Sequence, residues 1–154
     1  MYQDFEVSVQ GQLLRIPYRI HEGPTNPIFM DFAARQAKVL RLCNLTRHYD
    51  GFIRERFVKE IITFDNPMVA PYLIRLCGEY VVEILDVINL NLDFCNQSLL
   101  RSFILENPEF YAKNRSRMIS YWDCYYRFAF PRIADYVGFK IFMRLDEIAQ
   151  NAKH

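Results

Sequence analysis

Between positions 5 and 20 apolar side chains occupy alternate residues: Phe5, Val7 and Val9, then, past Gln10-Gly11, Leu14, Ile16, Tyr18 and Ile20. A period of two on both sides of a glycine predicts a β-hairpin with one face of each strand turned to a core. Pro17 cannot donate to a ladder and places the second arm at an edge. Such an arm either packs on the body of its own chain or grips a partner by strand addition. His21-Glu22-Gly23-Pro24 reads as a linker.

Beyond the linker the spacing becomes helical. Thr25 or Asn26 caps a helix with Pro27 at its first position, running to about Cys43 and burying Phe29, Phe32, Ala33, Val39 and Leu40. A second helix starts at Asp50, burying Ile53, Phe57, Val58, Ile61 and Ile62 and exposing Arg54, Glu55, Lys59 and Glu60. Asn66-Pro67 opens a third, with Pro71 near enough to its start to be tolerated or to bend it, and Gly78 stops it. The fourth runs from about Glu79 to Leu90, a shorter fifth covers Gln97–Leu105, and a sixth, rich in aromatics, spans Pro108 to Phe130. The last, Ile133–Gln150, contains Gly138, which marks a kink or a close helix crossing.

Two helix starts look alike. Asp50-Gly51-Phe52-Ile53-Arg54 and Glu79-Tyr80-Val81-Val82-Glu83 open successive amphipathic runs, with the Asn66-Pro67…Pro71 helix between them. A turn-helix unit recurring at roughly 30 residues is the mark of an α-solenoid. Residues 46–92, with Asp-Gly-Phe-Ile-Arg-Glu at 50–55, Pro71-Tyr72-Leu73 and Gly78-Glu79-Tyr80-Val81-Val82-Glu83, resemble the short HEAT-type repeats of bacterial proteins. In those repeats an acidic residue begins the turn, and Val or Ile followed by Arg opens the inner helix. Ile53-Arg54 fits; at 82–83 the pair is Val-Glu. The resemblance implies an all-α body, a HEAT-like stack of helical hairpins, that binds another macromolecule. The expected organisation is a single domain over 1–154, with a hairpin arm at 1–22 and a helical body at 25–150.

Half of the residues are hydrophobic, which excludes a disordered chain, and the net charge of +1 argues against nucleic acid as the partner. Charge is uneven along the chain: residues 51–99 carry four basic and seven acidic groups, residues 100–154 nine basic and six acidic. Cys43, Cys77, Cys95 and Cys124 are too scattered, and the histidines too few, for a zinc site, so neither metal nor cofactor is expected. No signal-peptide pattern stands at the start and no apolar run spans a bilayer, so the expected compartment is the cytoplasm, with reduced and mostly buried thiols.

Three constellations bear on function. Glu79, Glu83, Asp86 and Asp93, at steps of four, three and seven, fall on one side of the fourth helix with no lysine or arginine among them. The stripe is either a solvated face or a docking surface for a basic protein such as a nuclease domain. In the sixth helix Arg117, Tyr121 and Tyr125 belong to a core helix, or to a binding surface if they are exposed. Arg41 and His48 enclose six residues, a spacing that resembles the Arg-x(4–6)-His motif of HEPN-type ribonucleases, which implies assisted attack of a 2′-hydroxyl. Leu42 stands where that family often has a polar residue. With no catalytic signature, the expected function is protein binding without chemistry: an immunity protein that blocks a bacterial toxin domain. A HEPN-type ribonuclease and a general HEAT-like scaffold or adaptor are the alternatives.

Overall fold

The computed structural model describes residues 3–23 and 32–151, with side chains in the second stretch from Gln36 onward. The expected cap at Thr25 or Asn26, Pro27 behind it, and the burial of Phe29, Phe32 and Ala33 lie outside the described residues. Strands β1 (Phe5–Val9) and β2 (Gln12–Ile16) pair antiparallel, Phe5 opposite Ile16 and Val9 opposite Gln12. Gln10 and Gly11 between them have φ of 51° and 81°, the backbone of a two-residue hairpin turn whose twist matches the strands. The Glu106 carboxylate accepts the amide hydrogens of both, at 3.0 and 2.9 Å. Asn107 accepts the Ser8 amide at 2.8 Å and donates to the Ser8 carbonyl at 2.7 Å, as a neighbouring strand would. Val7 and Ile16 enter the core, so the hairpin packs on the body. Pro17 falls just past β2, where no ladder bond is lost.

Seven α-helices are present among the described residues: α1 (Phe32–Leu45), α2 (Gly51–Ile61), α3 (Val69–Cys77), α4 (Val82–Asn91), α5 (Gln97–Glu106), α6 (Pro108–Tyr121) and α7 (Val137–Gln150). Their starts carry the expected chemistry. Asp50 accepts the Phe52 amide at 2.9 Å, Asn96 accepts the Leu99 amide at 3.0 Å, and Pro108 opens α6. Pro71 is the third residue of α3, where its missing N–H has no intrahelical acceptor to lose.

All nine residues of α3 are buried, as a helix apolar nearly all round demands. Helices α1, α4, α5, α6 and α7 all pack on it, and α7 also covers α4 and α5. The fold is therefore a mostly helical body arranged around α3, with one small antiparallel sheet. Tyr72, at the middle of α3, is fully buried and satisfies its hydroxyl by donating to Asn44 Oδ1 at 2.6 Å.

Several boundaries differ from expectation, each for a local reason. Helix α4 starts at Val82 rather than Glu79, because the Gly78 and Glu79 amides bond back to the last turn of α3 and Val81 is extended. The sixth helix leaves α geometry after Tyr121 for a π turn, Trp122–Tyr126, and a short 3-10 turn at Ile133–Asp135 precedes α7. Arg54, expected at the surface, is buried: its guanidinium donates to the carbonyls of His48 and Tyr49, both at 2.9 Å, and closes the α1–α2 loop. Phe52 beside it takes the exposed position.

Both interior glycines mark close approaches. A Cβ on Gly138 would lie 2.8 Å from Met118 Cγ and 2.7 Å from the Tyr136 ring, so Gly138 serves a tight α6–α7 crossing. At Gly78 the obstacle is stiffer: a Cβ would meet the Asn114 carbonyl oxygen at 2.9 Å and its Cα at 3.2 Å. Backbone cannot swing aside as a side chain can. Gly78→Ala should therefore destabilise the fold by about 1–3 kcal/mol, read from urea unfolding; a change inside about 0.5 kcal/mol would mean that α3 and α6 separate freely.

Candidate docking face

Only two of the four carboxylates expected on one side of α4 lie there. Glu83 and Asp86 are exposed and form no ion pair among the described residues. Glu79 sits three residues ahead of the helix and is 2% exposed. Arg47 donates to it at 2.5 Å and Arg19 at 3.0 and 3.1 Å, while Arg75 approaches to 4.0 Å, too far for a hydrogen bond. Asp93 lies past the end of α4, in the 3-10 turn Leu92–Phe94, and pairs with Arg144. The uncompensated stripe is thus corrected to a pair: the arginines that balance Glu79 and Asp93 come from distant parts of the chain.

The Glu79 cluster is structural. Arg47 also donates to the carbonyls of Pro17 and Tyr18, so one buried guanidinium joins the segment after the hairpin to the α1–α2 loop. Backbone bonds between Ile20 and residues 47 and 49 run alongside. Burial alone would raise the Glu79 carboxyl, but Arg47, Arg75 and Arg19 outweigh it and bring it down to about 2. Burial, then Arg47, lowers Arg75 to about 9, and Glu79 offsets only part of this. One carboxylate cannot neutralise three guanidiniums, and Arg75 Nε and Nη1 have no acceptor among the described residues.

The aromatic window of the sixth helix joins the core only in part: Met118 is buried, and Trp122 and Tyr126 pack half-buried against it. No residue of the π turn Trp122–Tyr126 is buried, Tyr125 is 66% exposed and Phe128 is completely so. A π turn inserts an extra residue into the helix and rotates the residues after it, which carries these side chains off the inward face. Tyr121, half-buried, and Tyr125 stack with ring centroids 6.0 Å apart, and Tyr80 (46% exposed) closes the group at 5.6 and 6.2 Å from them. The Tyr126 hydroxyl donates to the Tyr80 carbonyl and its ring stacks on buried Tyr136 at 5.2 Å, so the patch is anchored from beneath. Asp123 and Arg127 form the expected i,i+4 pair at 2.8 Å. Burial, then the Glu83 carboxylate, raises the Tyr126 hydroxyl, which puts Glu83 beside the same patch.

The remaining expected residues lie apart from it or at its margin. Arg117 is half-buried with its guanidinium carbon 5.3 Å from the Phe5 ring centroid. Arg41 is exposed whereas His48 is buried, its Nδ1 accepting the Asp50 amide at 3.0 Å and its ring stacked on Tyr49; no hydrogen bond joins Arg41 to His48. Cys43, Cys77 and Cys95 are buried free thiols, with Cys43 pushed up to about 12 by burial, and Cys124 is exposed. Among the described residues no group of three His, Cys, Asp or Glu could hold a metal ion, and no helix is long and apolar enough to cross a membrane. Tyr80 and Phe128 were not anticipated; Tyr80 stands two residues past the Gly78 that ends α3, the available signal for a surface turn, and nothing in the spacing announces that the sixth helix ends before Phe128.

Fold and surface together define a small helical domain with an anchored, solvent-facing aromatic patch. No known protein family, no curated protein and no solved structure matches this chain.

Proposed function

We propose that this chain is a protein-binding module without chemistry of its own, and that it docks through Tyr80, Tyr121, Tyr125 and Phe128 with Glu83 and Asp86 at the rim. The observation that carries the reading is the surface ring cluster of Tyr80 from the α3–α4 turn, Tyr121 at the end of α6 and Tyr125 on the π turn that follows it. Tyrosine dominates the centres of protein interfaces because it brings a large area with little conformational freedom to lose. Two acidic groups beside the patch favour a basic partner, since a complementary rim steers encounter and selects against wrong partners. Within this class we favour a cytoplasmic immunity protein that covers a basic toxin domain. The ribonuclease reading lacks comparable support, because His48 is buried with its Nδ1 taken by the Asp50 amide, while Arg41 is exposed and makes no hydrogen bond to it. The likeness of residues 46–92 to HEAT-type repeats is supported by α2 packing on α4, as equivalent helices of successive repeats do; α7, folded back on α3, α4 and α5, argues instead for a closed bundle.

The product of the neighbouring gene is the first partner to test: toxic alone and harmless when co-expressed is the expected result. Tyr125→Ala with Phe128→Ala should weaken that complex at least tenfold, about 1.4 kcal/mol, and Glu83→Lys with Asp86→Lys by a similar factor, both measured by calorimetry. Undiminished affinity in both pairs would remove this face from consideration.

A further inference from the structure

Strand β1 pairs with β2 along one edge; its other edge is closed at Ser8 and open at Glu6. Ser8 turns both its N–H and its C=O away from β2, since Asn107 accepts from the first at 2.8 Å and donates to the second at 2.7 Å. Pairing alternates along an antiparallel strand. Phe5, Val7 and Val9 therefore exchange bonds with β2, while Glu6, two residues from Ser8, points its N–H and C=O outward as Ser8 does. No group among the described residues bonds to them. Asp4 has the same parity, just ahead of the strand. A groove of about 860 Å³ lies along this edge. Residues 3–6, roughly 13 Å of extended chain, line one side of it, and Phe110, Lys113, Arg117 and Tyr121 of α6 line the other.

We propose that this groove takes an extended peptide of a partner protein as a third strand, antiparallel to β1 and bonded through its backbone to Glu6. Asn107 shows the arrangement in miniature. Its side-chain amide exchanges two bonds with one residue, as an antiparallel neighbour does, and the peptide continues that edge where Asn107 leaves off. An open strand edge facing a helix supplies what strand addition uses: main-chain bonds for affinity, and a wall that receives alternate side chains for specificity. The peptide residue opposite Phe5 falls on the face where the Phe5 ring meets Phe110 edge-on, centroids 6.1 Å apart, so an aliphatic or aromatic side chain is expected there. Charge sets a second limit. The lining carries four carboxylates and two cations, which favours a neutral or weakly basic peptide over an acidic one. The arm thus packs on its own body by one face and keeps an edge for a partner. This reading is independent of the aromatic docking face, although Tyr121 borders both.

Selection from a displayed library of random octapeptides on the full chain supplies the probe, and amide hydrogen exchange and calorimetry on the best octapeptide test the proposal. The Glu6 amide should exchange fast in the free chain and slowly in the complex, whereas the Ser8 amide, already held by Asn107, should change little. N-methylation of the peptide backbone should raise Kd about tenfold or more at every second residue and leave it within about twofold at the residues between. Glu6→Pro deletes only the outward N–H, which an edge position tolerates, and should raise Kd by a similar factor; Glu6→Gln and Tyr125→Ala should leave it unchanged. Thermal unfolding confirms that the variants fold, and if Glu6→Pro does not, the exchange and N-methyl results decide alone. No enriched octapeptide, N-methyl effects without a period of two, or an unprotected Glu6 amide in the complex would overturn the proposal. So would loss of binding in Tyr125→Ala, which assigns the peptide to the docking face instead.

Discussion

Glutamine in place of Glu79 should lower the unfolding free energy by about 3–5 kcal/mol, the range found when one member of a buried ion cluster is removed. The side chain keeps nearly its shape, so packing changes little. What changes is charge: Arg47 and Arg75, both nearly inaccessible to water, lose the one carboxylate that faces them. Urea unfolding reads the effect directly. A second substitution checks the cause, because Arg75→Leu in the Glu79→Gln background removes an uncompensated cation and should recover part of the loss. If Glu79 were a surface residue of an acidic stripe, the first change would move stability by no more than about 0.5 kcal/mol, and that result would restore the expectation the structure overturns.

Acid should act through the same carboxyl. Its value in the fold, about 2, lies below the ordinary 4.5, so the unfolded chain takes up this proton first as pH falls. The contribution is therefore complete above pH 4.5 and disappears as pH drops through 2. At roughly 1.4 kcal/mol per pH unit of separation it amounts to about 3 kcal/mol. The arginines stay protonated throughout that range and add no slope of their own. Unfolding free energies measured between pH 5 and 2.5 should fall steeply in the native chain and more gently in Glu79→Gln; parallel curves would assign the acid loss to other carboxylates.

Local signals made much of the fold legible. Alternation around Gln10-Gly11 gives the hairpin, Asp50 and Pro108 give helix starts, and Gly138 gives a close crossing. Each is set by a few adjacent residues. The site was less legible because its decisive contacts join residues far apart. Glu79 carries the same charge as Glu83, and nothing nearby reveals that Arg19 and Arg47, 60 and 32 positions earlier, converge on it. Helical spacing also assumes one continuous helix; the turn at Gly78 takes Glu79 off α4, and the sixth helix ends early, so Tyr125 in the π turn and Phe128 in the turn beyond it are exposed where α-helical spacing would have turned them inward. Arg54 shows the reverse error, a charged residue assigned to water that instead satisfies two loop carbonyls.

The clasp of Glu106 and Asn107 on the β1–β2 turn also sets an order of assembly. A two-stranded hairpin has little stability alone in water, and both clasping side chains are made about a hundred residues after Ser8. During synthesis the hairpin thus leaves the ribosome well before the residues that secure it. It waits, unprotected, for residues 106 and 107, and its docking reports that α5 has already formed.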